Sequence, residues 1–215
     1  MRAGYRVSWC IVNAIFTVLL TRRTRGTEHV PRGGGFIVAC NHISFWDAPL
    51  VGASLRREVH FLAKEELFGN RAFRWLIASL NAIPIRRGFS DPGGVKRALE
   101  VVSRGAGLVM FPEGGRVKEG ELKPALPGVG LLSVKAGVPV VPAYMKGSNK
   151  IKRAILRLHR VELTFGEPYF PPAEGEGGRA KELYRSVGEE VMRRIAELKK
   201  RTDCKQGAGE ARQVT

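Results

Sequence analysis

Residues 36–47, FIVACNHISFWD, decide the fold. An uninterrupted run of apolar and small residues is followed by Asn41 and His42, and Asp47 opens a segment that contains Pro49. A continuous run of this kind is what a strand covered on both faces requires. Proline is tolerated in the first turn of a helix, so Pro49 puts a helix start near Asp47. Strand, polar turn and helix then recur outward along the chain. Further strand-like runs are VHFLA at 59–63, AIPI at 82–85, GLVMF at 107–111, VPVVPA at 138–143 and VELTF at 161–165. Helix-like stretches lie between them at 47–55, 67–79, 91–104 and 125–135, the third opened by an Asp91 cap with Pro92 at the first helical position. PPAEGEGG at 171–178 reads as a loop. A helix over 180–201 follows, with Leu183, Val187, Val191, Ile195 and Leu198 on one face. The sequence therefore predicts a single α/β domain over 26–201, a largely parallel sheet with helices on both faces. From 202 to 215 polar residues lose all periodicity, as expected of a frayed tail.

The chain has 215 residues, 44% hydrophobic and 26% charged, which excludes a wholly disordered protein. Its 36 Lys and Arg outnumber 20 Asp and Glu, leaving +16, a surface suited to an anionic partner. Cys10, Cys40 and Cys204 are odd in number and scattered, which argues against a disulfide framework or zinc finger. Residues 1–25 form an apolar segment followed by arginines. VSWCIVNAIFTVLL at 7–20 is shorter than the ~20 residues of a membrane span, and no cleavage-site pattern follows it. Two readings stand: a core helix packed on the domain, or an amphipathic helix lying in a membrane surface. In the second, Trp9, Ile11, Phe16 and Leu20 enter the lipid interface and Arg22, Arg23 and Arg25 meet phosphates.

Polar residues cluster where apolar runs end. Asn41 and His42 follow the first run, Arg86 and Arg87 follow AIPI, and Pro112 to Arg116 follow GLVMF. In a parallel sheet these ends share one edge, where ligands bind. His42 is a natural general base, and Asp47 on its other ring nitrogen would fix the tautomer. Five residues apart, the two would point about 140° away from each other on a regular helix, so they meet only if the chain turns between them. Asp47 also reads as the partner of Ser44 in a capping box. Gly114 and Gly115 permit a tight turn offering N–H groups to an anion, and Arg116 a fork for phosphate. Glu113 would hold an arginine or accept from a substrate hydroxyl. Arg86, Arg87 and the whole FPEGGR turn also fit plain surface charge. No GxSxG, GxxxxGK[ST] or HExxH occurs, Cys40 should pack inward, and His29, His60 and His159 lack ligand spacing.

In this order, NHISFWD, IPIRR, FPEGGR and VPVVPA resemble the four blocks of the glycerolipid acyltransferase family, over about residues 27–147, and most of all its bacterial 1-acyl-glycerol-3-phosphate type. The resemblance implies transfer of a fatty acyl group from acyl-CoA or acyl carrier protein to the hydroxyl of a lysophospholipid acceptor, 1-acyl-glycerol-3-phosphate, in phosphatidic acid formation. It implies His42 as base, Asp47 as its orienting partner, and Arg87, Glu113, Gly114 and Arg116 as acceptor-binding positions. The thioester is a co-substrate, and no cofactor or metal is implied. Expected partners are the donor, the lipid acceptor and an anionic membrane surface, with the enzyme peripheral on the cytoplasmic face. Departures from the family pattern are Asn81 and Pro84 in the second block, Gly115 and Val117 in the third, and Pro127 before Gly128. They leave the acid–base pair intact and bear on acceptor choice: another lysolipid, an amino lipid or glycerol phosphate are the alternatives. A non-catalytic lipid-binding protein would explain the charge as well. Nucleic acid is not expected, since no recognition motif or aromatic-interleaved basic strip is present.

Overall fold

The computed structural model describes residues 3–86, 91–175 and 179–210. Seven strands form one sheet: β1 (Arg22–Arg25), β2 (Phe36–Cys40), β3 (Val59–Lys64), β4 (Ala82–Ile85), β5 (Gly107–Met110), β6 (Val140–Lys146) and β7 (Val161–Phe165), in the order β1-β7-β6-β2-β5-β3-β4. All pairs are parallel except β6 with β7. The helices are α1 (Ala3–Leu19), α2 (Asp47–Ser54), α3 (Arg71–Ser79), α4 (Pro92–Ser103), α5 (Gly128–Ala136), α6 (Ile151–Ile155) and α7 (Ala180–Glu210).

Side chains alternate across the pleat, so β2 feeds two cores. Phe36, Val38 and Cys40 pack with Tyr5, Phe16 and Leu20, with Leu50 and Val51 of α2, and with Ala154 of α6. Ile37 and Ala39 pack on the opposite face with Ala98 and Val102 of α4, Val129 and Leu132 of α5, and Val191, Ile195 and Leu198 of α7. Every residue of β2 is fully buried, which is why its sequence is continuous rather than alternating. Asp91 caps α4 as expected, its Oδ1 accepting from Gly94 N–H at 2.8 Å.

The N-terminal segment follows the first of its two readings, a helix packed on the domain, with an apolar stripe left facing outward. α1 is built into the domain: Trp9 Nε1 donates to Leu55 O at 2.8 Å and Asn13 Nδ2 to Ala53 O at 2.6 Å. These side chains answer carbonyls that the end of α2 would otherwise leave open. Trp9, Phe16 and Leu20 therefore turn inward, correcting their assignment to a lipid face. Val7, Ile11, Ile15, Val18 and Leu19 form the outward stripe instead. Arg22, Arg23 and Arg25 belong to an unexpected edge strand, β1 beside β7, and Arg22 also donates to Asn13 and Thr17. At the other end α7 continues past Thr202 to Glu210, so the helix runs into the expected tail, of which 211–215 lie outside the described residues. Thr202 is buried and Asp203 pairs with Lys146 of β6 at 2.6 Å. α3 begins at Arg71 rather than at residue 67, because a 3-10 turn, Glu65–Phe68, intervenes.

Candidate active site

β2 and β6 lie side by side and leave the sheet at the same edge. There Asn41 extends the ladder with its side chain: Oδ1 accepts from Met145 N–H at 2.7 Å and Nδ2 donates to Met145 O at 3.0 Å. The chain then turns sharply into α2, as the spacing of His42 and Asp47 demands. Asp47 is wholly buried, and Oδ2 accepts from the N–H of Ile43 at 2.7 Å, the N–H of Ser44 at 2.8 Å and His42 Nδ1 at 2.8 Å. The capping box with Ser44 does not form, since α2 starts at Asp47 with Trp46 as its N-cap and Ser44 Oγ accepts from Trp46 N–H instead; the Asp47 carboxylate holds the histidine turn. Its Oδ1 accepts from Ser148 Oγ, in the turn after β6. A carboxylate with four donors only accepts, so Nδ1 of His42 carries the proton and Nε2 is the basic nitrogen. The imidazole stacks on Phe111, ring centres 4.0 Å apart and planes 16° from parallel.

The turn after β5 runs alongside. Val117 N–H bonds His42 O at 2.7 Å. Gly114 takes φ 70°, which favours glycine; a Cβ there would lie 2.3 Å from Cδ1 of Leu126, an exposed side chain that can turn aside, so conformation rather than space sets the requirement. Glu113 is buried, and its two oxygens accept from backbone N–H groups, His42 at 3.0 Å and Lys123 at 3.1 Å. It ties the two turns together, and this corrects the expectation that it holds an arginine. Burial pushes its carboxyl above the usual range, against the bonds from Lys123 and His42 that favour ionisation. Arg116 lies with its guanidinium 4.1 Å from the ring centre of exposed Phe45, beside the histidine turn. Glu119 staples the same turn to the one bearing Ser148, accepting from Gly147 N–H at 2.7 Å and Lys150 Nζ at 2.8 Å.

The third cluster is set apart. β4 is the outermost strand, three strand spacings from β2, or about 14 Å. Arg86 at its end is exposed and paired with Glu65 at 2.6 Å. Arg87 lies outside the described residues. Cys40 is buried, and burial holds its thiol well above its ordinary pKa, as its inward packing implied. At the opposite edge of the sheet a cleft of about 560 Å³ is bordered by Arg56, Arg57 and Arg104. Arg57 there bonds the carbonyls of Pro31, Gly34 and Gly105, a structural tie far from His42. No group of three or more metal-ligating side chains occurs among the described residues.

Ser148 was missed by sequence reasoning, and Phe111 was read only as the end of its apolar run. Extending the VPVVPA run to Lys146 would have pointed to Ser148.

A buried carboxylate orienting a histidine at the carboxyl edge of a largely parallel sheet is an arrangement able to accept a proton and return it. A sequence model described as Acyltransferase matches residues 21–146, more than half of the chain, and the chain belongs to the acyltransferase family. Within it the likeness is to the 1-acyl-sn-glycerol-3-phosphate type. The chain is 27% identical to the 1-acyl-sn-glycerol-3-phosphate acyltransferase of Bacillus subtilis, over 89% of this chain and 96% of that one. It is 30% identical to the Pseudomonas aeruginosa protein of the same name, over 92% and 80% of the two chains. It is 33% identical to the lyso-ornithine lipid O-acyltransferase of P. aeruginosa, over 47% and 39%. Among solved structures, the 1-acyl-sn-glycerophosphate (LPA) acyltransferase PlsC from Thermotoga maritima superposes with a TM-score of 0.67 at 27% identity, covering 91% of this chain and 81% of that one.

Proposed function

We propose that this enzyme moves a fatty acyl group from a thioester, acyl-CoA or acyl carrier protein, to the free hydroxyl of 1-acyl-glycerol-3-phosphate, giving phosphatidic acid for phospholipid synthesis. The observation that carries the reading is the Asp47–His42 bond at 2.8 Å, which leaves Nε2 as the base. His42 Nε2 takes the proton of the acceptor hydroxyl as its oxygen attacks the thioester carbonyl. The tetrahedral oxyanion collapses, the C–S bond breaks, and the imidazolium returns its proton to the leaving thiolate. Asp47 stabilises the imidazolium without itself being protonated. Arg116 leaves the Phe45 ring to bind the acceptor phosphate, and Arg87 is proposed as a second cation for it. Gly114 and Glu113 act on the acceptor indirectly, through the shape of the turn. The transfer draws on no cofactor beyond the thioester.

The reaction is placed at a membrane surface, with the protein peripheral on the cytoplasmic face. No helix among the described residues is long and apolar enough to cross a bilayer. The outward stripe of α1, Val7 to Leu19, and the charge of +16 both suit an anionic lipid surface.

The test is thiol release from palmitoyl-CoA with lysophosphatidic acid in detergent micelles, beside His42→Ala. The expected result is acceptor-dependent release that falls by 10³-fold or more, on the order of a lost base, in a variant that stays folded. Near wild-type turnover in that variant overturns the mechanism. A second acceptor is favoured by the likeness to a lyso-ornithine lipid acyltransferase together with Gly115 and Val117, the two departures in the turn proposed to bind the acceptor. Lyso-ornithine lipid outpacing lysophosphatidic acid would decide for it.

A further inference from the structure

α6 and the turn behind it read IKRAILRLHR over residues 151–160. One residue, Ala154, is fully buried, sharing the core with Phe16 and Leu20, and its carbonyl accepts from Thr21 N–H at 3.5 Å. The rest faces out. Ile155, Leu156 and Leu158 are 45%, 68% and 70% exposed. Lys152, Arg153, Arg157 and Arg160 are exposed and form no ion pair among the described residues.

The helix end is an ordered device. Arg157 N–H bonds Ala154 O at 3.1 Å and Leu158 N–H bonds Arg153 O at 2.9 Å, the two bonds of a Schellman motif. Arg157 holds the left-handed position at φ 57°, where glycine is the usual residue. The apolar residue after it commonly folds back on the helix. Here its counterpart at the third position from the helix end is Arg153, and Leu158 stays in solvent.

The location gives the patch a partner. Thr21 follows Val18 and Leu19, so the patch continues the outward stripe of α1. It also leaves the sheet at the carboxyl end of β6, directly after Ser148, whose hydroxyl bonds Asp47. Phe45 and Trp46 are exposed at the same edge.

We propose that the α6 turn is a second membrane contact, in which Leu156 and Leu158 enter the interface while Lys152, Arg153, Arg157 and Arg160 meet anionic lipid headgroups. It rests on the membrane reading of α1 given above. α1 alone fixes a line on the bilayer. With the α6 turn the contact becomes a surface, and the mouth beside His42 faces lipid. Mixed apolar and cationic exposure without acidic residues over 151–160 fits an anionic bilayer better than an acidic protein, which would match the cations and leave the leucines uncovered.

The full chain would be tested by co-sedimentation with vesicles of phosphatidylcholine, with and without phosphatidylglycerol. Leu156→Ser/Leu158→Ser should weaken binding to both by about tenfold or more. Arg153→Gln/Arg157→Gln should weaken binding only where phosphatidylglycerol is present. Turnover of a short-chain, monomeric donor and acceptor should stay at the wild-type level in both variants. Wild-type vesicle affinity in the leucine variant overturns the proposal. So does intact vesicle binding with turnover lost only when acyl carrier protein is the donor, which would give the surface to that protein. An Ile11→Ser/Val18→Ser variant separates the two claims. If it loses binding while the leucine variant keeps it, α1 is a membrane contact and α6 is not. If wild-type protein ignores both vesicle types, the membrane reading fails as a whole.

Discussion

Asp47 shows how much one buried side chain can settle. Its four donors come from three places in the sequence: the histidine five residues back, two backbone N–H groups of the turn, and Ser148. The bonds from His42 and Ser44 were legible, because Pro49 fixes a helix start and the turn must then lie between His42 and Asp47, whereas the Ile43 N–H came with the turn itself. Ser148 was not, since a contact across 101 residues needs the strand order to be known. Removing its hydroxyl leaves Oδ1 of a buried carboxylate short of a donor, a loss of about 1.5–3 kcal/mol for a bond to a charged group. That strain is relieved by movement of Asp47, and His42 moves with it. Ser148→Ala should therefore lower kcat by roughly tenfold with KM near wild type, since acceptor binding is untouched. Ser148→Thr should restore most of kcat. Lower melting temperature with unchanged kcat would make the hydroxyl a packing donor only.

At the scale of elements, the strands were legible wherever burial on both faces wrote itself as an apolar run, and illegible where pairing alone makes the strand. β1 is RRTR, with no apolar residue. It exists because its backbone pairs with Val161 to Thr164, and its charges suit a sheet edge. The reach of α7 was hidden for a similar reason: Thr202 and Asp203 look polar, yet one bonds back to Leu198 O and the other bridges Lys146 and Lys199. Burial opposes ionisation of Asp203, but the bonds from Lys146 and Lys199 outweigh it and lower its pKa. A carboxylate lowered in the folded state contributes stability above its unfolded pKa, and that contribution disappears as pH falls through the folded value. Asp203→Asn should thus cost about 0.5–1 kcal/mol at neutral pH, with the difference from wild type closing in acid denaturation series. Helix packing gives a sharper contrast. A Cβ at Gly130 of α5 would stand 2.0 Å from Tyr184 O of α7, whereas at Gly4 of α1 nothing lies within 4 Å. Gly130→Ala gains about 1 kcal/mol of helix propensity and meets a backbone oxygen that cannot rotate away, at a cost of about 1–3 kcal/mol or more. Thermal melts should show Gly130→Ala less stable than wild type and Gly4→Ala slightly more stable. Equal melting temperatures would mean that α5 and α7 separate freely.

For the whole molecule, the charge of +16 and the outward stripe of α1 predict the same location by different physics, and salt separates them. Attraction between exposed cations and a phosphatidylglycerol surface acts over a Debye length, about 10 Å at 0.1 M salt and about 3 Å at 1 M. Burial of Val7, Ile11, Ile15 and Val18 is not screened, at roughly 25 cal/mol for each Å² of apolar surface removed from water. Affinity for anionic vesicles should therefore fall steeply as salt is added and then level off, and the plateau should coincide with the salt-insensitive affinity for pure phosphatidylcholine. Binding that falls to zero at high salt would assign the whole attraction to charge and leave the apolar stripe without a membrane role. A salt-independent affinity equal on both vesicle types would do the reverse, and the excess of Lys and Arg would then have to serve the acceptor phosphate and the donor rather than the bilayer.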